Sequence, residues 1–493
     1  MNTRTYLAVD IGAESGRLIA GNFDGKFLRM RELHRFSNAG VWLGEHLHWD
    51  ILQLWNEIKR GLALAAQEFG EAVCSLGLDT WGVDFGLLAA DDTLIGIPYH
   101  YRDHRTDGIM QVAFSRVPKS EIFNQTGNQF IQLNSLYQLL SMAAVNSPAL
   151  SIAQTFLNMP DLFNFYLTGC KVNEFTISST TQCYDIRTRE WAFDLLAQLG
   201  IPTKIFGEVV PPGTILGKLR PSLREELGLN SASVIASAGH DTASAVAAVP
   251  ASSPDYIYLS SGTWSLLGVE IAQPDISQGS LAACMTNEGG VGDKIRFLKN
   301  IIGLWFVQEC RRDWKRQGSQ YTYDELTQMA SKANPFGPLI IPDDSRFSAP
   351  CYMPDAIQSF CTDTGQSIPQ DRGAIVRCIL ESLALEYRWV SEQIEKLRGV
   401  YYPLIHIIGG GTKNKLLNQL IADATGKTII AGPVEATALG NIIVQAIAMG
   451  DIASLAEGRA IVRDSFELQT YIPSKLIAWD DAFERYLELK VRE

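Results

Sequence analysis

Two glycine-centred hairpins, one in each half of the chain, limit the fold more than any other feature. The first is YLAVDIGAESGRLI at residues 6–19, and the second is YIYLSSGTWSLLG at residues 256–268. In each, an apolar strand leads into a turn of glycine and small hydroxyl or acidic residues, and a second apolar strand follows. Such turns can present backbone N–H groups to phosphate oxygens. The repeat therefore predicts two related domains that hold a nucleotide between them.

The rest of the sequence fits two α/β domains. The chain has 493 residues, which is too long for one core, and strand-like runs alternate with helical ones. The segment PASSPD at 250–255 is the strongest linker signal near the middle. We therefore expect domains at 1–249 and 250–493.

Several local patterns locate the elements that matter for the site. Strands at 75–79 and 86–89 are predicted to flank the turn TWGVDF, and a strand at 234–238 to precede a helix at 241–248. In the second half, a strand at 404–408 is predicted to lead through a triple glycine into a helix at 414–424. Further helices are predicted at 50–67, 135–144, 159–167, 373–397 and 436–449.

Composition excludes several classes of function. The formal net charge is −12, which disfavours nucleic acid and anionic membranes as partners. Asp10 and Glu14 interrupt any signal-peptide core, so a cytoplasmic location is expected. No zinc spacing is present, and the pairs His46/His48 and His100/His104 are not read as metal sites. Cys351 and Cys361 could bridge, although a reducing cytosol argues against it.

The first hairpin carries residues suited to phosphate chemistry. Asp10 ends a strand, where its carboxylate could hold Mg²⁺ through water, and Arg17 could meet a transferred phosphoryl group. The alternative is a plain surface turn.

The triple glycine at 409–411 could let a purine or phosphate approach the backbone, or it could be a loop that needs positive φ. No Walker A motif and no GxGxxG are present.

Two further segments could bind and activate a hydroxyl group. Asp241 could accept the proton of an attacking hydroxyl, or it could only cap a helix. In the turn TWGVDF, Trp81, Gly82 and Asp84 could recognise a sugar, whereas a core tryptophan is the plainer reading. Arg102, Asp103 and Arg105 could form a second polar wall or a structural network, and the latter is favoured for Arg105.

The ordered set of motifs resembles the FGGY family of carbohydrate kinases, which share the actin/hexokinase/Hsp70 ATPase fold. The segments that carry this resemblance span almost the whole chain: VDIGAESGR (9–17), DTWGVDFGLL (79–88), YRDHRT (101–106), GHDTASAV (239–246), YLSSGTWSL (258–266), TNEGG (286–290), KNIIGLW (299–305), GGGTKNKLLNQLIADATG (409–426) and GPVEATALGN (432–441). The implied fold is α/β, with two related actin-like (ribonuclease H-like) domains and a nucleotide and sugar cleft between them.

The resemblance also implies roles for individual residues. Asp241 would be the catalytic base. The sugar would be held by Gly82, His240, Asp241, Thr242 and Asn300, together with Trp81 and Asp84. ATP would lie along Ala13, Glu14, Ser15, Gly16 and Arg17, and would also contact Thr263, Gln308 and Gly411. Many family members have threonine at the position of Ala13, so one phosphate contact is absent here.

Within the family, the ordered set of motifs resembles most closely the kinases that act on L-rhamnulose, and the turn TWGVDF is the segment that discriminates most between family members. The implied reaction transfers the γ-phosphoryl group of ATP, with Mg²⁺, to the 1-hydroxyl of that sugar. Kinases for L-fuculose or L-ribulose are the nearest alternatives, and a non-catalytic ATPase switch of the actin type is a more distant one. The expected partners are a sugar and ATP, without nucleic acid or membrane, in a monomer or small homo-oligomer.

Overall fold

The computed structural model describes residues 3–347, 352–474 and 477–491. Cys351 lies outside these residues, as does any bridge to Cys361. The chain forms two compact units, and both are discontinuous in sequence. Unit 1 comprises Met1–Ser252, Glu270–Phe297 and Ala436–Ser465, and unit 2 comprises Ser253–Val269, Leu298–Glu435 and Phe466–Glu493. Among the described residues, no helix has the length and apolar character needed to cross a bilayer.

The elements of the first half are mostly short and alternate between strand and helix. They are β1 (Arg4–Ile11), β2 (Ser15–Phe23), β3 (Leu28–Ser37), β4 (Gly40–Leu43), β5 (His46–Trp49), α1 (Ile51–Phe69), β6 (Val73–Thr80), β7 (Phe85–Leu88), α2 (Ile109–Arg116), α3 (Lys119–Thr126), α4 (Ser135–Ala144), α5 (Pro148–Ile152), β8 (Thr155–Asn158), α6 (Met159–Thr168), β9 (Asn173–Glu174), α7 (Phe175–Ser178), β10 (Tyr184–Asp185), β11 (Glu190–Trp191), α8 (Phe193–Gln198), β12 (Val209–Val210), β13 (Thr214–Lys218), α9 (Pro221–Leu227), β14 (Ser233–Ala236) and α10 (Asp241–Ala247).

The second half contains longer helices. Its elements are β15 (Ile257–Ser261), β16 (Trp264–Ile271), α11 (Gln278–Ala282), β17 (Thr286–Gly289), β18 (Ile295–Ile302), α12 (Trp305–Arg316), α13 (Tyr323–Lys332), α14 (Met353–Asp363), α15 (Arg372–Arg398), β19 (Leu404–Ile408), α16 (Lys415–Thr425), β20 (Thr428–Ala431), α17 (Ala436–Ala448), α18 (Leu455–Ser465), β21 (Gln469–Tyr471) and α19 (Ala478–Lys490).

The main sheet of unit 1 has the strand order β13-β14-β6-β1-β2-β3. The predicted first hairpin is the antiparallel pair β1/β2, and β1, β6 and β14 run parallel to one another. Helix α1 covers this sheet with a buried stripe of Ile51, Leu54, Ile58, Leu62 and Ala65. These spacings of three and four residues put one apolar face toward the core.

Helix α17 joins unit 1 although it comes from the far end of the chain. Gln445 Nε2 donates to Leu7 O at 2.9 Å, and Ser75 Oγ donates to Gln445 Oε1 at 2.7 Å. Gly440 allows α17 to approach α10, because a Cβ there would lie 1.7 Å from the Ser244 carbonyl oxygen. These buried polar bonds and the close helix contact explain why unit 1 includes a segment that the boundary predicted at 249/250 assigns to the second half.

The sheet of unit 2 repeats the plan of the first. Five strands of a seven-stranded sheet follow the order β16-β15-β19-β20-β21, with β15, β19 and β20 parallel and β15/β16 forming the second predicted hairpin. In both units, therefore, a glycine-centred hairpin lies beside parallel strands. This architecture confirms the predicted α/β fold with two related domains.

Candidate active site

The loop after β14 carries the predicted base. Asp241 is the first residue of α10, and its side chain is 29% exposed, whereas His240 and Thr242 are buried. Thr242 Oγ1 donates to Asp241 Oδ1 at 3.1 Å, and His240 Nε2 lies 3.4 Å from the same oxygen. A Cβ on Gly82 would lie 3.5 Å from His240 Nε2, so Gly82 is a direct neighbour. The structure thus brings Gly82, His240, Asp241 and Thr242 together.

Buried acceptors hold the backbone of this loop. Glu174 Oε2 accepts from the Gly239 N–H at 3.0 Å, and Thr176 Oγ1 accepts from the His240 N–H at 3.2 Å. The Thr80 N–H donates to Gly239 O at 2.9 Å. Burial raises the pKa of Glu174 to about 7, although several hydrogen bonds to its carboxylate oppose this shift. The loop is therefore fixed from both sides before any ligand binds.

Arg296 sets the tautomer of His240. Its Nη2 lies 2.9 Å from His240 Nδ1, and the same nitrogen lies 3.0 Å from Glu288 Oε2. A guanidinium can only donate, so Nδ1 must accept, and we assign the ring proton to Nε2. The Nε2–H group therefore faces Asp241 and the edge of Gly82.

Ionisable side chains form a row across three neighbouring strands. Asp10 on β1 is the register partner of Arg17 on β2 and of Asp79 on β6, and register partners project from the same face of a sheet. Arg17 Nη2 and Asp10 Oδ2 are 2.8 Å apart. Asp79 is buried, and its Oδ1 has no hydrogen-bond partner among the described residues, whereas Asn441 Nδ2 donates to its Oδ2.

The charge of Asp241 also affects the pKa of Asp79 in this row. Desolvation raises the pKa of Asp79 well above its usual range, and the charges of Asp10 and Asp241 act in the same direction. Asp79 was not predicted as a site residue, although it begins the quoted motif DTWGVDFGLL. The available signal was its position at the end of a strand parallel to the one that ends in Asp10.

Asp84 lies in the core beneath the turn TWGVDF. It is fully buried, and its Oδ2 accepts from the indoles of Trp49 and Trp81 and from the Tyr101 N–H, at 2.6, 2.9 and 3.2 Å. Its Oδ1 accepts from Gln138 Nε2 at 2.8 Å. This differs from the predicted sugar contact, because no face of the carboxylate is exposed. The structure favours a positioning role for Asp84, and Trp81, 4% exposed, packs mainly against Trp49.

The turn itself contains a strained residue. Val83 has a φ of +70°, a conformation that β-branched residues rarely adopt. Its N–H donates to Thr180 Oγ1 at 3.2 Å, and its carbonyl accepts from Gln138 Nε2 at 3.2 Å. These bonds hold the strained backbone directly beside Gly82, an arrangement that is common at ligand sites.

The segment YRDHRT is structural at Arg105, as favoured from the sequence. Arg105 Nη2 donates to Gln138 Oε1 at 2.6 Å, and its guanidinium lies 3.9 Å from the centre of the Tyr99 ring. Burial lowers the pKa of Arg105 to about 10. Gln138 therefore connects Arg105 with Asp84.

The first hairpin presents a half-buried loop. Ala13, Glu14 and Ser15 are each partly exposed, and Gly16 is buried against Phe36. A Cβ on Gly16 would lie 2.2 Å from the Phe36 ring, so packing alone requires glycine there. The loop is closed by Gly12 N–H donating to Ser15 O at 3.0 Å.

The remaining predicted residues belong to unit 2. Thr263 is in the second hairpin turn, Asn300 is on β18, and Gln308 is on α12. Gly411 is buried against the second hairpin, because a Cβ there would lie 2.0 Å from Ser261 Oγ. Gln308 Oε1 is buried and has no hydrogen-bond partner among the described residues.

One polar cluster was missed by sequence analysis. His46 Nδ1 lies 3.1 Å from Asp103 Oδ1, and His104 Nδ1 lies 3.8 Å from Asp103 Oδ2. Their ligand atoms all lie within 4.8 Å of one another. Both histidines belong to pairs visible in the sequence, His46 to His46/His48 and His104 to His100/His104. Only the fold shows that Asp103 lies beside one histidine of each pair.

Family models match both halves of the chain. The N-terminal domain of the FGGY family of carbohydrate kinases matches residues 5–248, and the C-terminal domain matches residues 257–449. The chain therefore belongs to the FGGY family of carbohydrate kinases, which confirms the predicted enzyme class, an ATP-dependent carbohydrate kinase.

Similar proteins narrow the comparison. The chain is 45% identical over 480 residues to a rhamnulokinase of Bacteroides thetaiotaomicron, covering 97% of this chain and 98% of the relative. It is 44% identical over 465 residues to a rhamnulokinase of Oceanobacillus iheyensis, covering 94% and 97%. The fold matches the crystal structure of a ligand-bound xylulose kinase from Lactobacillus acidophilus with a TM-score of 0.82 and 16% identity, covering 99% and 98%.

Proposed function

We propose that this protein phosphorylates L-rhamnulose at its 1-hydroxyl with ATP, giving L-rhamnulose 1-phosphate and ADP. The observation that carries the chemistry is Asp241, a partly exposed carboxylate set between His240 and Thr242 beside Gly82. The sugar is inferred from the rhamnulokinases that match nearly the whole chain.

Asp241 acts as the general base in this proposal. Its carboxylate takes the proton of the 1-hydroxyl while that oxygen attacks the γ-phosphorus, and the bond to the β,γ-bridging oxygen breaks to release ADP. The proton then leaves Asp241 for solvent. A base held at a fixed position contributes mainly by orienting the nucleophile, as phosphoryl transfer requires.

The neighbours of Asp241 orient the sugar. The Nε2–H of His240 and the hydroxyl of Thr242 can bond sugar oxygens, and Gly82 leaves room for the ring because it has no side chain. We propose that Asn300 supplies a further sugar contact. Trp81 and Asp84 would maintain the shape of the turn rather than bind through their polar atoms.

ATP is proposed to lie along Ala13–Arg17 and to contact Thr263, Gln308 and Gly411. Mg²⁺ fits the first hairpin, because Asp10 and Asp79 offer only oxygen donors and Asp79 Oδ1 has no protein partner among the described residues. Asp10, with Asp79 beside it, would hold the ion directly or through water. When bound, the ion neutralises charge on the β- and γ-phosphates.

The position of the cleft, the oligomeric state, the cellular location and the choice of sugar are less directly supported by contacts within the site. The cleft between the two halves, expected from the family resemblance, is a prediction. A cytoplasmic location is proposed because ATP is the phosphoryl donor, and a monomer or small homo-oligomer stays a prediction. Kinases of L-fuculose or L-ribulose are the alternative that a substrate test must separate, since one methyl group in a pocket is worth only about 1–3 kcal/mol.

The test is ADP release with MgATP and a panel of L-rhamnulose, L-fuculose, L-ribulose and D-xylulose, with a control lacking sugar. We expect the highest kcat/KM for L-rhamnulose. Preference for another ketose would overturn the substrate but leave the kinase chemistry. ADP release that is the same with and without sugar would overturn the kinase proposal itself.

A further inference from the structure

We propose that His46, Asp103 and His104 form a binding site for a zinc-like divalent cation, separate from the magnesium proposed for the first hairpin. The three residues come from two segments: His46 begins β5, and Asp103 and His104 lie at the start of a short 3-10 helix at His104–Thr106. None of the roles proposed for phosphoryl transfer uses them.

Asp103 is fixed before any cation arrives. Its side chain is 1% exposed, and its Oδ2 accepts from the Leu47 N–H at 2.7 Å while Oδ1 accepts from the Arg105 N–H at 3.1 Å. Each backbone bond uses only part of the capacity of one oxygen, since an ionised carboxylate has about four acceptor positions. Asp103 is therefore an anchored ligand with room for a metal bond.

The two histidines complete a donor set from the solvent side. His46 is 42% exposed and His104 is 55% exposed, and their rings stack 5.3 Å apart with an interplanar angle of 6°. Both Nδ1 atoms face Asp103, at 3.1 and 3.8 Å. A metal ion lies near the plane of each imidazole that binds it, so the two exposed rings must tilt out of their stack before both Nδ1 atoms can reach one ion at about 2.0–2.1 Å.

The donor types select the kind of cation. Two imidazole nitrogens with one carboxylate oxygen suit Zn²⁺ and its transition-metal neighbours, whereas Mg²⁺ and Ca²⁺ prefer oxygen alone. Water from the exposed side would fill the fourth position. Arg105 is the nearest opposing charge, with Nε 4.0 Å from Asp103 Oδ1, but its Nη2 is bound to Gln138 and its plane lies over Tyr99.

The test uses untagged protein, treated with a chelator and dialysed, without nucleotide. Zn²⁺ is titrated by calorimetry, and Co²⁺ is titrated while its visible spectrum is recorded, because intense d–d bands report tetrahedral geometry. The variants are His46→Ala and His104→Ala. The matched control is His48→Ala, which removes a histidine two residues away whose Nδ1 instead bonds Ile97 O at 3.0 Å.

We expect one Zn²⁺ per chain and an affinity that falls by more than about a hundredfold in each of the first two variants, because losing a direct ligand costs more than losing a group that only orients one. The control should bind like the unsubstituted protein, and all variants should keep their circular dichroism spectra and sugar kinase activity. The proposal is overturned if no stoichiometric Zn²⁺ binds, if binding survives both His46→Ala and His104→Ala, or if His48→Ala weakens it equally.

Discussion

The two hairpins have the same backbone arrangement, but one carries ionisable side chains at positions where the other carries neutral ones. In unit 1, register partners across three strands are Arg17, Asp10 and Asp79, all of them charged types. In unit 2, the corresponding partners are Leu266, Ser260 and Ile408, none of them charged. The backbone plan alone therefore does not decide function, since one copy places ionisable groups where the other places neutral ones.

Acidic side chains of the two units also differ in their partners. In unit 1, burial raises the pKa of Glu174 to about 7, and the donors to its carboxylate are backbone N–H groups and the hydroxyl of Thr176. In unit 2, partial desolvation of Asp343 is outweighed by Lys299 and Lys490, which hold the pKa of this carboxyl below its usual range. The burial of Glu174 therefore lowers stability at neutral pH, whereas the charges of two lysines offset the desolvation of Asp343.

The largest effect is expected at Asp241. Asp241→Asn keeps the size of the side chain but removes the base, so kcat should fall by about 10²- to 10⁴-fold with little change in KM for the sugar. Steady-state ADP release measures both constants. A variant that keeps wild-type turnover would remove Asp241 from the chemistry and weaken the assignment of catalysis to unit 1.

Glu174→Gln tests the cost of burying this acid. Because the folded pKa of Glu174 exceeds the unfolded value, the native state binds more protons between about pH 4.5 and 7, and stability should fall as pH rises through that window. The full shift corresponds to about 3 kcal/mol. Urea unfolding of the variant at pH 5 and 7.5 should show a smaller decline than the wild type. Equal declines in both proteins would contradict this reading.

Gly440→Ala tests the packing that ties α17 to unit 1. The added Cβ would lie 1.7 Å from the Ser244 carbonyl oxygen, so the free energy of unfolding should fall by about 1–3 kcal/mol. Gly410→Ala in unit 2 is the matched control, because its Cβ would meet nothing within 4 Å. Equal melting temperatures of the two variants would contradict this, because they would show that α10 and α17 can move apart at little cost in stability.

Asp84→Asn tests whether this buried acid shapes the sugar turn. The amide cannot accept at both ends, so one of the donors from Trp49, Trp81, Tyr101 or Gln138 loses its partner. We expect KM for the sugar to rise about tenfold, the equivalent of one lost hydrogen bond to a charged group, with a smaller change in kcat. An unchanged KM in a well-folded variant would show that the turn does not depend on Asp84.

Local sequence patterns predicted the elements well. The strand predicted at 404–408 has the observed bounds, and the helix predicted at 135–144 is α4. These elements are determined by short-range periodicity, flanking glycines and caps. Both hairpins were predicted for the same reason, since strand, turn and strand are contiguous in the chain.

Contacts between distant segments were beyond such reasoning. Asn441 bonds Asp79 across 362 residues, and His46 meets Asp103 across 57. Asp84 has the composition of a sugar ligand, but only the fold shows that four donors enclose it. Residue type indicates what a group can do, whereas burial and partners decide which of its roles is available.

The most direct test of the contrast between the two hairpins is a matched pair of variants, Asp10→Ser and Ser260→Ala. Turnover is measured as a function of Mg²⁺ concentration at saturating ATP and L-rhamnulose. We predict that Asp10→Ser lowers kcat by about a hundredfold and raises the Mg²⁺ needed for half-maximal rate, whereas Ser260→Ala stays near the wild type. Equal losses in the two variants, or an unchanged Mg²⁺ dependence in Asp10→Ser, would contradict the assignment of the phosphoryl-transfer chemistry to unit 1.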